Sequence, residues 1–332
     1  MADTGLRDGW NRPITYLRMS VTDVCPYHCI YCRPAGQPKR HLDPVPLSCN
    51  ELIQLASLFV QAGIQKIRLT GGEPLTRDDL PRLIHTLSQM AGLEDLSLTT
   101  NGQRLGERLP DLVQAGLRRI NISMDSLRAD RFAQITGGGR WQLVWEGVQQ
   151  ARAVLPGPVK INVVVLQGWN EDEILDFARL TLDEPYHVRF IESMPLAAGE
   201  NQIPGPTYPI ERIQQRIREV YLLEPILPTE PTAGPAERYR IPGAAGEIGF
   251  IAAVTHRFCS TCNRLRLTAD GRLRLCLLSN VEWDCRPWLS PQVSPAEVKE
   301  TLRGFLSQKP SQHTLQPGLP FCSNRSMLGI GG

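Results

Sequence analysis

ITYLRMSVTDVCPYHCIYCRP, residues 14–34, sets an alternating segment directly before three closely spaced cysteines. In the first half Tyr16, Arg18 and Ser20 fall on one face of a strand and Leu17 and Met19 on the other, because strand side chains alternate with period two. In the second half Cys25, Cys29 and Cys32 follow the pattern C-x3-C-x2-C. Three thiolates bind three irons of a [4Fe–4S] cluster and leave the fourth iron open, whereas a fully ligated electron-transfer cluster takes four cysteines. An open iron is able to chelate an amino and a carboxylate group. A zinc site closed by His28 is the competing reading, since Zn²⁺ prefers tetrahedral Cys/His sets, and the spacing alone leaves both open.

Outward from this stretch the chain repeats strand-like and helical segments. ITYLRMSV precedes ELIQLASLFVQAG, KIRLT precedes DLPRLIHTLSQMAG, and DLSLTTNG precedes LGERLPDLVQAG. RRINISMDS precedes WQLVWEGVQQARAVL, VKINVVV precedes EDEILDFARLTL, and HVRFIES precedes PIERIQQRIREV. The apolar residues of the second member of each pair recur at helical spacing. Repeated β/α units require right-handed crossovers and a parallel sheet.

The strands carry more information than their number. A parallel sheet covered on both faces is almost wholly apolar, yet here Lys66, Arg68 and Thr70 oppose Ile67 and Leu69. Arg119, Asn121, Ser123 and Asp125 oppose Ile120, Ile122 and Met124, and Lys160 and Asn162 oppose Val159, Ile161 and Val163. With helices on the apolar face, the polar face lines a solvated or ligand-filled interior. A closed eight-stranded barrel fills its interior with side chains. Six strands with a polar lining therefore predict an α/β fold, an incomplete (β/α)6 barrel of the triosephosphate-isomerase type around a large substrate. The plainer alternative is strand ends facing water.

Past residue 220 the composition changes. EPILPTEPTAGPAERYRIPGAAGEIGF, rich in Pro and Gly, reads as loop, and ADG between alternating runs signals a hairpin. The expected division is a core domain over 1–220 and a smaller C-terminal α+β domain over 221–332. That second region holds Cys259, Cys262 and Cys276, again three thiols. His256 just upstream makes a Cys3His zinc site the alternative to a second cluster. Arg264 and Arg266 stand two apart, hence on one strand face, and paired guanidiniums beside a metal centre suit phosphate oxygens. A solvated strand face is their bland reading. No feature of Cys49, Cys285 or Cys322 demands a role, and Asp23 and Asn263 flank cluster cysteines as ligand neighbours or caps. By sequence alone the terminal Gly331-Gly332 reads as a frayed end.

The totals narrow the class. At 332 residues there is room for one large domain or two ordinary ones. A formal net charge of +2 gives no global field for nucleic acid, so anion binding must come from local placement of Lys and Arg. No run approaches the roughly 20 apolar residues of a membrane span, and MADTGLRDGW lacks a signal-peptide core. A cytoplasmic protein with no membrane or nucleic-acid partner is expected. In a reducing compartment, clustered cysteines point to metal and away from disulfides.

C-x3-C-x2-C after the first strand of a β/α series, with Tyr31 before the last cysteine and TGGEP (70–74) closing the second strand, resembles the radical SAM superfamily over about residues 14–200. RMSVTDVCPYHCIYC, KIRLTGGEPL, LSLTTNG, INISMDSL, VKINVVV, RFIESM and CSTCNRLRLTADGRLRLC, with the terminal Gly-Gly, resemble the GTP 3′,8-cyclase family of molybdenum cofactor biosynthesis within it. The resemblance implies a lyase that uses S-adenosyl-L-methionine (SAM) to convert GTP to (8S)-3′,8-cyclo-7,8-dihydroguanosine 5′-triphosphate. It implies two [4Fe–4S] clusters, one on Cys25, Cys29 and Cys32 and one on Cys259, Cys262 and Cys276. It places Tyr31, Gly72, Ser123 and Met194 around SAM. Arg18, Arg68, Thr99, Lys160, Arg264 and Arg266 match GTP positions, with Lys66 and Arg189 as neighbours and Arg264 and Arg266 as the catalytic pair. It brings the Gly-Gly tail into the active site. As partners it implies an electron donor, the next enzyme of the pathway (a cyclic pyranopterin monophosphate synthase) and a second copy of the chain. Two other functions stay open here: a radical SAM enzyme with an auxiliary cluster that modifies a peptide or protein, and a zinc-binding scaffold.

Overall fold

The computed structural model describes residues 5–32, 45–194, 196–197, 207–227, 234–315 and 321–331. In chain order the first part runs β1 (Tyr16–Ser20), α1 (Cys49–Ala62), β2 (Lys66–Thr70), α2 (Leu80–Ser88), β3 (Asp95–Thr100) and α3 (Leu105–Gln114). Then come β4 (Ile120–Ser123), α4 (Ala129–Thr136), α5 (Trp141–Val154), β5 (Lys160–Val165), α6 (Ile174–Asp183), β6 (His187–Glu192), β7 (Leu196–Ala197) and α7 (Ile210–Arg218). The remainder is β8 (Glu224–Ile226), β9 (Glu237–Arg240), β10 (Glu247–Ile251), β11 (Arg264–Leu267), β12 (Arg272–Arg274), β13 (Trp283–Asp284), α8 (Pro295–Leu306), β14 (Phe321–Cys322) and α9 (Met327–Ile330).

The β/α alternation read from the sequence is present, and its helices form for local reasons. In α1 the Ser48 side chain accepts from Glu51 N while Glu51 returns a bond to Ser48 N, a capping box that satisfies two otherwise orphaned donors. Leu52, Leu55, Ala56 and Phe59 recur at helical spacing and are buried. Each of the large side chains contributes about 1.5–3 kcal/mol on burial. They pack on the apolar strand face, where Leu17, Met19, Ile67 and Leu69 have no exposure.

Twelve strands form one sheet in the order β13-β12-β11-β1-β2-β3-β4-β5-β6-β10-β9-β8. β11 joins β1 in parallel, and β10 joins β6 in parallel. The parallel part therefore holds two strands more than the six expected, and the stretch read as loop supplies β8, β9 and β10 (residues 228–233 lie outside the described ones). Pro and Gly there mark turns between short strands. The alternation of EIGFI was hidden because β10 is buried almost throughout, with Phe250 stacked on Phe190 at 6.0 Å. ADG forms the turn between β11 and β12. Helix α4 was not anticipated from the sequence.

The sheet is strongly curled. Arg68 on β2 and Arg189 on β6 stand four strand spacings apart, about 19 Å in a flat sheet. Yet Arg68 is the charge that Arg189 feels most. That influence across the sheet accords with a sheet bent around its polar face, the interior of an incomplete barrel. Among the described residues no helix is long and apolar enough to cross a membrane.

Candidate functional site

The first cysteine trio sits beyond the C-terminal end of β1, the end where parallel β/α folds gather their chemistry. Backbone bonds tie this loop to its neighbours. Gly72 N donates to Thr22 O and Glu73 N to Val24 O, both at 2.7 Å. His28 N donates to Thr136 O and Ile30 N to Ile135 O, so the end of α4 holds the far side. A Cβ on Gly72 would lie 2.3 Å from Val24 O, so this approach admits glycine alone.

Side chains complete the frame. Tyr31 donates its hydroxyl to Asp125 Oδ2 at 2.7 Å, and Asp125 Oδ1 accepts Val164 N. Asn101 Oδ1 accepts from Gln103 N, which turns its Nδ2 toward Cys25 Sγ at 3.9 Å. Glu73 accepts from Thr100 Oγ1, Asn101 N and Leu75 N, bracing β2 against β3. Its burial pushes the carboxyl up to about 7. Asp125 rises to about 6 for the same reason. Burial, then Cys32, Asp125 and Cys25, hold the Cys29 thiol well above its ordinary range.

The second trio faces the opposite flank of the interior through β11. Cys259 feels Cys276 and Cys262 as neighbouring charges and accepts a bond from the His313 backbone. Cys262 accepts from the Arg264 backbone and side chain. Burial opposes its ionisation, but Lys309 and Arg264 prevail and bring the thiol down to about 7. N–H donors and cations around thiols suit iron–sulfur ligands, whose sulfurs take such bonds. His256 is turned away: its Nδ1 meets Glu211 Oε1 at 2.6 Å. Among the described residues no three His, Cys, Asp or Glu side chains converge on one ion.

Between the trios lies a cationic lining. Arg266, Arg18 and Arg68 are register neighbours on β11, β1 and β2, with Ser97 next on β3. Arg264, Tyr16 and Lys66 form the row beneath. Thr99, Asn121 and Lys160 align across β3, β4 and β5, and Arg189 pairs with Asn162 on β5. Burial, with Arg68 and Arg264, lowers Arg18 to about 10 against the favourable influence of Tyr16. Arg189 falls to about 10 through burial and Arg68. Lys160 drops to about 6 through burial, then Arg189, Arg119 and Arg68, with Asp95 opposing. The amide oxygen of Asn162 has no partner among the described residues. Like charges massed in the interior are costly unless an anion joins them.

Other residues were missed or misread. Gly331, read from sequence as a frayed end, is buried: Arg266 Nη1 donates to its carbonyl at 2.7 Å. At φ +78 and with a Cβ position 2.8 Å from Ser20 Cβ, only glycine fits. Arg325 holds the tail in place through Asp270 and Glu282, both at 2.8 Å. Gly332 lies outside the described residues, as does the Cys322 side chain. Asn263 braces β1, its Nδ2 donating to Thr15 Oγ1. Met194 packs on the small buried cluster of Val254, Leu278 and Leu315, as Cys276 does, and Ser123 ends β4. Cys285 is fully buried, and burial raises its thiol.

The radical SAM superfamily model matches residues 19–181 and the Molybdenum Cofactor Synthesis C model residues 186–315. The GTP 3′,8-cyclase of Moorella thermoacetica is 45% identical, covering 98% of this chain and 100% of that protein. The chain belongs to the GTP 3′,8-cyclase family. The Geobacter sulfurreducens member is 44% identical over 98% of this chain and 99% of its own, and the Peptoclostridium acidaminophilum member 43% over 98% of each. The crystal structure of Streptococcus suis SuiB bound to S-adenosylmethionine superposes with a TM-score of 0.61 at 12% identity. It covers 88% of this chain and 68% of that one. That likeness shows the radical SAM fold. Members of the family employ SAM and [4Fe–4S] clusters.

Proposed function

We propose that the cationic interior between the two cysteine trios takes GTP, and that the protein is a SAM-dependent lyase forming the 3′,8-cyclised nucleotide at the start of molybdenum cofactor biosynthesis. Cys25, Cys29 and Cys32 would hold one [4Fe–4S] cluster and Cys259, Cys262 and Cys276 the other. When bound, the first cluster with SAM supplies the reducing electron and radical chemistry that removes the ribose 3′ hydrogen.

The chain's own residues do the rest. Gly72, whose lack of a side chain lets its loop close on Val24 O beside the first trio, seats SAM's methionine end, and Tyr31, locked by Asp125, lines the same mouth with Ser123. Met194, on the same small apolar cluster as Cys276, lines SAM near the second trio. Arg18, Lys66, Arg68, Lys160 and Arg189 bind the triphosphate, and Thr99 orients it with Asn121. Arg264 and Arg266 act as the catalytic pair, fixing the nucleotide so that ribose C3′ and base C8 stay apposed. Gly331, held by Arg266, closes the mouth against water.

The single observation carrying this reading is the set of buried interior cations Arg18, Lys160, Arg189 and Arg266, whose proton affinity is lowered by burial first and by neighbouring cations next. Their mutual repulsion asks for a polyanion, and the four charges of GTP meet it. We divide the chain at residue 220, where the sixth β/α unit ends with α7 and the later strands begin to flank the sheet. An electron donor, the next enzyme of the pathway, a second copy of the chain and a cytoplasmic setting belong to the same reading.

Anaerobic incubation of reconstituted protein with SAM, GTP and a strong reductant tests it. Deoxyadenosine should form in step with GTP loss, with ATP unable to replace GTP. Deoxyadenosine formed equally without GTP would overturn the substrate assignment.

A further inference from the structure

Lys309 belongs to neither cysteine motif and to none of the cationic strand rows. It is 3% exposed, just beyond α8. Its Nζ donates to Arg264 O at 3.0 Å and to Leu275 O. These carbonyls bracket the second trio, for Arg264 comes two residues after Cys262 and Leu275 directly before Cys276. Burial lowers its proton affinity; Cys262 and Cys276 work against that, and Arg12 and Arg264 add to it. A buried ammonium is costly unless an anion offsets it. Two carbonyls satisfy two of its three N–H bonds and bring no full charge.

Arg12 completes the frame differently. Its guanidinium donates to Cys259 O at 2.6 Å and to the carbonyls of Pro310 and Ser311. Asp8 already pairs with it at 2.6 Å, with both side chains buried. Arg12 therefore contributes geometry with little net charge, whereas the Arg264 side chain, half-buried in the interior row, also bonds Cys262. Of the two cations at the trio with no carboxylate partner among the described residues, Arg264 and Lys309, Lys309 is the buried one.

We propose that Lys309 is the counter-charge of the second cluster, a positioning residue that sets the spacing of Cys262 and Cys276 and raises the cluster's reduction potential. The inference rests on reading Cys259, Cys262 and Cys276 as cluster ligands. A [4Fe–4S] core with three thiolates is already negative and gains one more negative charge on reduction. A buried cation beside it therefore favours the reduced form.

The test uses reconstituted full-length protein carrying Cys25→Ser, Cys29→Ser and Cys32→Ser, so that one cluster titrates. Its iron is counted and its potential read by EPR redox titration, alone and with Lys309→Met or Lys309→Arg added. Lys309→Met should shift the reduction equilibrium at least tenfold toward the oxidised form, about 59 mV for one electron. Lys309→Arg, which keeps the charge, should restore it. A loaded Lys309→Met protein with unchanged potential overturns the proposal. So does loss of the cluster from both variants alike, since the amine would then be only a fastener. If Lys309→Met alone loses the cluster, the charge is required and the proposal stands. Iron of the parent variant decides the ligand reading separately: retention of that iron after Cys259→Ser, Cys262→Ser and Cys276→Ser are added would sink it.

Discussion

Replacing Lys160 by methionine should abolish the uptake of a proton from solvent that accompanies GTP binding. Burial and the charges of Arg189, Arg119 and Arg68 lower this amine to about 6 in the free protein. At pH 8 about one amine in a hundred is then protonated. Four phosphate charges within the lining would return it toward its ordinary range near ~10.4, so binding takes up about one proton per GTP. The nucleotide contributes little, because the last phosphate ionisation lies near pH ~6. A base whose pKa rises on binding is already charged below its free value, so affinity is greatest below about pH 6. It then falls about tenfold per pH unit until the amine's pKa in the complex is passed. Calorimetry of GTP binding at pH 8, in buffers of different ionisation enthalpy, measures the uptake. Wild type should show about one proton and Lys160→Met about none. Equal uptake in both proteins, or none in wild type, would refute the placement of Lys160 against the triphosphate.

Without nucleotide the same group weakens the fold. Its folded pKa lies below its unfolded one, so wild-type stability falls as pH drops from about 10 to 6. Lys160→Met should accordingly melt higher than wild type at pH 6, the gap narrowing toward pH 10. Gly72→Ala drives a methyl against Val24 O and should weaken SAM binding at least tenfold in equilibrium dialysis, with about 2 kcal/mol lost in denaturant titration. Arg266→Ala removes one charge-assisted phosphate contact, about 1.5–3 kcal/mol, and frees Gly331. GTP affinity should drop tenfold or more while iron content holds. Cys259→Ser should cost one cluster's iron without ending SAM cleavage.

The core of this fold was legible because its strands break a rule. A parallel strand such as KIRLT should be apolar on both faces, and Lys66 and Arg68 announce the interior before any geometry is known. Both cysteine trios were equally plain. The features that escaped did so for physical reasons. EIGFI carries no strong alternation since both faces of β10 are covered, so composition pointed to loop. ADRFAQIT is a short helix with no side-chain cap bond at its start. Lys309 is separated from Cys262 by 47 positions of sequence, and only the folded chain brings it to the trio. Gly331 reads as an end because nothing local says that Arg266 waits for its carbonyl.

The strands that finish the sheet also set a schedule for its synthesis. β1 and β6 are the outer strands of the parallel core until β10 and β11 pair with them, and those pieces leave the ribosome late. A nascent chain of roughly two hundred residues thus carries two long unpaired edges, ready templates for pairing with another chain. Truncation after α7 should yield not a smaller enzyme but an aggregating one. A cell making this protein has a reason to keep chaperones at hand until residue 267 has emerged.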